Sequence, residues 1–290
     1  YTYSAMDKQI TKLVNKYEKL NNSTIGKSYQ NRNLYSLSLG SGEKKIAVIA
    51  GVHGREGLTS LFTMKIIEEY AINHQKNESF TEYDLNKLLN KVTFVFIPML
   101  NPDGIEIAIN GIEHLNNKNF YIKANEDSNN FERWKANARG VDLNKQFKAD
   151  WENTKSTNQP HFSDYKGPSP ESEKESKALA DLTRKENFAA VVCFHHSGRI
   201  IYWYYNQKDN ELKRDQKLAK KISVINGYEL IKPEDSDSKA AGYKDWFIKE
   251  FKKPGFTIEI GYKGKSEKPL PAQKLELFYE ENKNILLELA

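Results

Sequence analysis

A chain of 290 residues, 38% apolar and 12% aromatic, carries enough apolar material for one large domain or two small ones and is too hydrophobic for disorder. Its 44 Lys and Arg against 39 Asp and Glu leave a net charge of +5 and a pI near 8.9, with lysines scattered and no basic-aromatic array of the kind nucleic-acid binding uses. No apolar run approaches the ~18–20 residues of a membrane span, and the single cysteine, Cys193, excludes an intrachain disulfide.

The chain opens YTYSAMDKQI, without an initiator Met or a basic-then-apolar leader, and reads as mature or trimmed. Residues 4–20 place apolar side chains at helical spacing. NRNLYSLSLG (31–40) and KKIAVIAGV (44–52) read as strands split by the turn SGEK. LTSLFTMKIIEEYAI (58–72) predicts an amphipathic helix, and NKVTFVFIPMLNPDG (90–104) a strand running into a turn. Residues 113–170 are polar, rich in Asn and aperiodic, which predicts a long functional loop region. A helix follows over 171–186, then strands at FAAVVCFHHS (188–197) and RIIYWYY (199–205). Helices over 213–228 and 242–251, a strand at PGFTIEIG (254–261) and a terminal helix over 270–290 complete the chain. Several strands are unbroken apolar runs, as strands buried on both faces are. The expectation is α/β: one three-layer domain over 1–290, with a central mixed, mostly parallel sheet flanked by helices.

Three of the apolar strands end in chemically loaded residues. KKIAVIAGV runs into His53 and Glu56, AAVVCF into His195 and His196, and PGFTI into Glu259. The other histidines, His74, His114 and His161, lie in polar segments that read as exposed. Singly, each feature has an ordinary reading: a carboxylate at a helix N-terminus, or a hydrogen-bonded histidine at a strand end. Together they offer what a catalytic zinc requires, three His and Glu ligands with a fourth position left for water. Glu259 in FTIEIG would be costly to bury without a role or a partner. No His-Glu-x-x-His is present, which excludes the helical zincin arrangement, and no Gly-x-Ser-x-Gly elbow is present for a serine nucleophile.

The segments GVHGREGL, NPDG, RWKANARGVDLNKQF (133–147), YKGPSPESEKESKAL (165–179), FHHSGRIIYW (194–203), GYKDW (242–246) and GFTIEIG (255–261) occur in the order of the zinc carboxypeptidases of the carboxypeptidase A type. The chain resembles that family over nearly its whole length. The resemblance implies one Zn²⁺ per chain, held by His53, Glu56 and a third ligand in FHHSG. Aligning GRIIYW places that ligand at His195, and two-fold strand alternation turns His196 to the opposite face as a structural or substrate-lining neighbour. It further implies Glu259 as the general base and Asp142 as the carboxylate that orients His53. Lys135 stands where the family has an arginine for the developing oxyanion, with Arg139 in reserve. Asn144 and Lys145 match the pair that grips a substrate carboxylate, again with Lys for Arg. Arg55 matches a substrate-contacting arginine. Lys244 falls at the pocket-floor position that sets side-chain preference, with a solvated helix lysine as the equal alternative. The family's mobile tyrosine has no match, and PEDSDSKAAG (233–242) replaces it.

Within the family, WKANARGVDLN, HSGRIIYW and GFTIEIG are most similar to the bacterial branch that acts on cell-wall peptides between γ-D-glutamyl and a diamino acid, meso-diaminopimelate or lysine. That resemblance implies a secreted or wall-associated peptidase, expected as a monomer, with peptide or stem-peptide substrates and no nucleic-acid partner. Two rival expectations are a general carboxypeptidase releasing acidic or polar C-terminal residues, and an inactive wall- or peptide-binding protein on the same fold.

Overall fold

The inner strands lie where the unbroken apolar runs are. The computed structural model describes residues 1–232, 241–264, 266 and 268–290. The described residues form an eight-stranded mixed sheet. In chain order the strands are β1 (Leu20–Lys27), β2 (Asn33–Leu39), β3 (Lys44–Ile49), β4 (Val92–Ile97), β5 (Ala190–His196), β6 (Ile200–Tyr202), β7 (Glu229–Leu230) and β8 (Gly255–Ile260). Their order across the sheet is β1-β2-β4-β3-β5-β8-β6-β7. The four inner strands β4, β3, β5 and β8 are parallel, while β2 and β6 join them antiparallel.

Ten helices cover the sheet and its edges among the described residues: α1 (Tyr3–Lys16), α2 (Gly57–Lys76), α3 (Leu85–Leu89), α4 (Pro102–Asn110), α5 (Lys118–Ala124), α6 (Lys174–Glu186), α7 (Asp209–Asn226), α8 (Tyr243–Phe251), α9 (Leu275–Asn282) and α10 (Ile285–Leu289). Alternate residues of β4, β3 and β5 feed two cores, and β8 feeds one. Val48, Val192, Phe194 and Ile258 pack with α1, α2, α7, α9 and α10. Ile49, Val191 and Cys193 pack on the other face with α6 and α8. Phe194 is fully buried and meets Phe62 of α2 edge-on, with ring centroids 4.8 Å apart. Truncating such a phenylalanine costs about 3–5 kcal/mol, so the end of β5 is held firmly in place.

The structure alters several boundaries. The first helix stops at Lys16, and LNNSTIGK (20–27), not predicted as a strand, forms β1 at the sheet edge. Edge exposure explains the miss, because only Leu20 of β1 is buried and the strand carries no apolar pattern. NPDG is the start of α4 and not a bare turn: Asn101 accepts the Gly104 N–H at 2.9 Å, and Pro102 occupies the first turn, where it sacrifices no helical bond. The aperiodic 113–170 region is largely irregular but contains α5, and the terminal helix is split into α9 and α10. His74 is buried, not exposed, and its Nδ1 meets the Asn86 side chain.

Candidate active site

β3 delivers the chain to the carboxyl edge of the sheet, where His53, in extended conformation, enters a 3₁₀ turn over Gly54–Glu56 that leads into α2. The turn folds Glu56 back on His53, with Oε1 2.6 Å from Nδ1. Only glycine fits at position 54. A Cβ there would lie 2.4 Å from the Gly104 carbonyl oxygen and 2.6 Å from that of Trp134. The Gly54 N–H donates to the Lys135 carbonyl at 3.0 Å. Asn101 ties the same loops together, donating to the carbonyls of Val52 at 3.0 Å and Ala136 at 3.1 Å.

Parallel pairing of β5 with β8 sets His195 beside Glu259. His195 Nδ1 lies 3.0 Å from Glu56 Oε2 and 3.2 Å from His53 Nδ1. His53, Glu56 and His195 are all buried, and their ligand atoms fall within 4.8 Å of one another. On the far side of His53, Nε2 lies 3.2 Å from Asp142 Oδ1. Burial works against an ionised Asp142, but Lys135 and His53 outweigh it and hold its pKa well below the usual carboxylate range. An ionised carboxylate only accepts, so Nε2–H donates to Asp142, and Nδ1, on the side of Glu56 and His195, is the nitrogen left to serve as a metal ligand. Two imidazole nitrogens and a carboxylate converging at this spacing call for a cation. Ligands about 2.0–2.2 Å from a tetrahedral zinc sit roughly 3.3 Å apart, and the donor set fits that requirement.

Glu259 borders a cleft of about 360 Å³ that opens over these donors and is also lined by Arg55, Lys135, Ser163, Asp164 and Tyr202. Burial, reinforced by the nearby Glu56 charge, pushes the Glu259 pKa up to about 7 despite the opposing His195, Lys135 and Arg55. A carboxyl poised there can take a proton and return it near neutral pH.

Residues 6–285 match the zinc carboxypeptidase family. The chain is 38% identical over 292 residues to a protein named gamma-D-glutamyl-L-diamino acid endopeptidase 1 of Lysinibacillus sphaericus, covering 99% of this chain and 71% of that one. It is 33% identical to the uncharacterized protein YqgT of Bacillus subtilis (strain 168), covering 99% of this chain and 76% of that one. Among solved structures, thrombin activatable fibrinolysis inhibitor superposes with a TM-score of 0.82 at 19% identity, covering 100% of this chain and 73% of that one.

The chain belongs to the zinc carboxypeptidase family. It is thus a metallopeptidase, a hydrolase whose cofactor is zinc. The sheet is that of the carboxypeptidase fold, as the resemblance implied. No helix among the described residues is long and apolar enough to cross a membrane.

For a zinc carboxypeptidase, the remaining expected site residues divide into those at the cleft and those away from it. Lys135 lines the cleft, its Nζ 3.6 Å from Asp142 Oδ2. Burial opposes its charge, but Asp142, Glu56 and Asp164 together raise its pKa. His196 also lines the cleft. Its Nε2–H donates to the Arg55 carbonyl at 3.1 Å, and its buried Nδ1 has no hydrogen-bond partner among the described residues. Asn144 accepts the Tyr243 N–H at 3.4 Å, and Lys145 Nζ lies 3.4 Å from Asp164 Oδ1.

Two expectations need correction. Arg139 does not line the cleft; its half-exposed guanidinium lies 3.4 Å from Glu173, which leaves Lys135 as the oxyanion candidate of the two. Lys244 is neither a lining residue of this cleft nor a solvated lysine. It is buried, donating to the Tyr204 carbonyl at 2.9 Å and pairing with Asp245. The replacement for the mobile tyrosine, residues 233–242, lies outside the described residues except for 241 and 242.

The sequence reading passed over Asn101, Phe162, Ser163 and Asp164. Asn101 had a usable signal in NPDG, read there only as turn chemistry. The FSD stretch carries no periodicity and no short motif, so nothing local marked it as a cleft wall.

Proposed function

We propose that this chain is a zinc peptidase that hydrolyses the bond between γ-D-glutamyl and a diamino acid, meso-diaminopimelate or lysine, in bacterial cell-wall stem peptides. The observation that carries the substrate is the 38% identity, across 99% of the chain, to the endopeptidase named for that bond. Such a substrate lies in the wall, so the working location is outside the cell membrane.

In this reading His53, Glu56 and His195 hold the zinc. Bound there, zinc supplies the positive charge that polarises the scissile carbonyl and acidifies water. Glu259 takes the proton from the attacking water and passes it to the leaving amine, a task suited to a carboxyl near pKa 7. Asp142 keeps the His53 proton on Nε2. Lys135 faces the charge that develops on the carbonyl oxygen, where a cation in a partly buried site acts more strongly than in water. Arg55, His196, Asn144 and Lys145 position the substrate.

The test is mass spectrometry of digests of L-Ala-γ-D-Glu-meso-diaminopimelate, with and without a terminal D-Ala, using wild type and Glu259→Gln. Cleavage after D-Glu that disappears in the variant is the expected result. A zinc-loaded protein that leaves these peptides intact but releases C-terminal residues from ordinary L-peptides is instead a general carboxypeptidase. One that binds them without hydrolysing any peptide is a binding protein on the same fold.

A further inference from the structure

The cleft is lined by charges of both signs. Arg55 and Lys135 line it, and Lys145 stands at its wall. Of the carboxylates among its described lining residues, Glu56 sits in the donor set and Glu259 beside it. The third, Asp164, is different: its side chain is 55% exposed. A diamino acid brings a cation on its side chain, and of these three carboxylates Asp164 is the one that stands outside the donor set and its neighbouring base, accessible to meet that cation.

Asp164 is built to hold a fixed position. Its backbone N–H donates to Asp142 Oδ2 at 3.3 Å, so it is mounted on the residue that orients His53. Ser163 Oγ donates to its Oδ2 at 2.9 Å, leaving Oδ1 toward Lys145. The Lys145 contact, at 3.4 Å, is longer than the ~2.7–2.9 Å of a tight charge-assisted hydrogen bond. Lys145 Nζ also donates to the Lys155 carbonyl at 3.2 Å. A loose pair of this kind, with its carboxylate half-exposed, contributes little to stability and leaves the carboxylate able to take a second cation. The pair also has the complementary shape for a zwitterion, carboxylate toward Lys145 and ammonium toward Asp164, which is what the far end of meso-diaminopimelate presents.

Resting on the γ-D-glutamyl–diamino acid reading, we propose that Asp164 is a specificity-determining residue that pairs with the side-chain ammonium of the diamino acid. The mutual placement of Asp164, Lys145 and the cleft carries this assignment.

The experiment compares kcat/KM of the zinc-loaded protein on L-Ala-γ-D-Glu-L-Lys and on L-Ala-γ-D-Glu-L-norleucine, which lacks only the ammonium. Two variants are used, Asp164→Asn and Asp164→Gly. Asp164 has φ +64°, a region that Asn and Gly enter with least strain, so both suit the native backbone. The quantity read is the Lys-to-norleucine ratio, which a general loss of active protein does not move. Wild type should favour lysine, and both variants should lower the ratio by about two- to fivefold, as expected for loss of one partly exposed ion pair. A ratio unchanged in both variants, or a wild type indifferent to the ammonium, overturns the role of Asp164 while leaving γ-D-glutamyl hydrolysis intact. Zinc-loaded wild type that hydrolyses neither these peptides nor L-Ala-γ-D-Glu-meso-diaminopimelate overturns the underlying reading and this assignment with it, whereas cleavage of the diaminopimelate peptide alone overturns the assignment of Asp164 to the bare ammonium.

Discussion

The two walls of the cleft are held by different physics. The strand-end wall, with His53, His195 and Glu259, is placed by the sheet: apolar side chains on both faces fix β3 and β5, Phe256, Ile258 and Ile260 fix β8 from one face, and register sets His195 beside Glu259. The opposite wall, with Lys135, Asp142 and Asp164, is mostly irregular chain. It is placed by buried polar contacts such as Asn101 to the Val52 and Ala136 carbonyls and Asn137 to Glu173 at 2.8 Å. A small cluster around Trp134, Tyr121 and Phe131 backs it. The difference assigns tasks. The rigid edge suits the metal and the proton transfer, which tolerate little displacement, and the polar wall suits charge tuning and substrate choice.

Changes at the rigid edge should therefore act in an all-or-none way. The sharpest case is the neighbouring pair on β5. His195→Ala should abolish stoichiometric zinc binding and, with it, hydrolysis. His196→Ala should retain zinc, because its ring donates to the Arg55 carbonyl and lies outside the donor cluster. Metal content of the two purified variants checks this directly, and zinc retained by His195→Ala would reassign the third ligand. Chelation of wild type should match His195→Ala, with recovery on adding one equivalent of zinc.

Next in size is Glu259→Gln, expected to lower kcat by about 10²–10⁴ with zinc content unchanged. The wild-type pH profile sharpens the assignment. Glu259 must be ionised to accept a proton, and burial raises its pKa to about 7. Bound zinc adds a nearby positive charge that lowers this value, so kcat/KM should fall as pH drops through a midpoint below 7. An acid limb that persists unchanged in the residual activity of Glu259→Gln would assign the proton transfer elsewhere.

On the polar wall, effects should be graded. Asp142→Asn keeps the size of the side chain but can present an N–H to His53 Nε2, which favours the wrong ring tautomer. A loss of about 10–100-fold in zinc affinity or activity is expected. A zinc titration of the variant separates this from a pure rate effect. A complete loss of fold instead would show that the wall and the edge are one cooperative unit.

The same contrast explains what could be read from the chain alone. Apolar runs such as AAVVCF and KKIAVIAG announce strands, and the loaded residues after them sit where such strands end, so the rigid edge was legible. The polar wall is specified by long-range hydrogen bonds, for instance Asp142 N–H to the Tyr165 carbonyl at 2.8 Å and Lys135 N–H to the Phe162 carbonyl at 2.9 Å. Such pairings leave no period in the sequence. Lys135 and Asp142 were found only through resemblance, and Asp164 was not found. β1 and His74 failed for related reasons: a polar edge strand lacks a buried stripe, and a histidine among polar neighbours can still turn inward.

The smallest expected effect tests the anchoring of the polar wall and concerns stability. Glu175 is fully buried, accepts the Tyr29 N–H at 3.0 Å and lies 3.5 Å from Asn137 Nδ2, behind the loop that carries Lys135. Burial, with the charges of Asp103 and Glu173 adding to it, raises its pKa to about 7. In the unfolded chain it titrates near 4.5. The folded pKa is the higher one, so the unfolded state releases its proton first, and stability is lost as pH rises from about 4.5 to about 7. Above that window the folded protein holds an unfavourable charge that Glu175→Gln removes while keeping an oxygen for the Tyr29 N–H. The variant should be more stable than wild type at pH 8, and its advantage should exceed that at pH 5 by about 2 kcal/mol. For a chain of this size that is a shift of roughly 3–4 °C in Tm, measured on zinc-loaded protein at the two pH values. An equal offset at both would show that Glu175 is ionised in the fold, with its charge met by the surrounding donors.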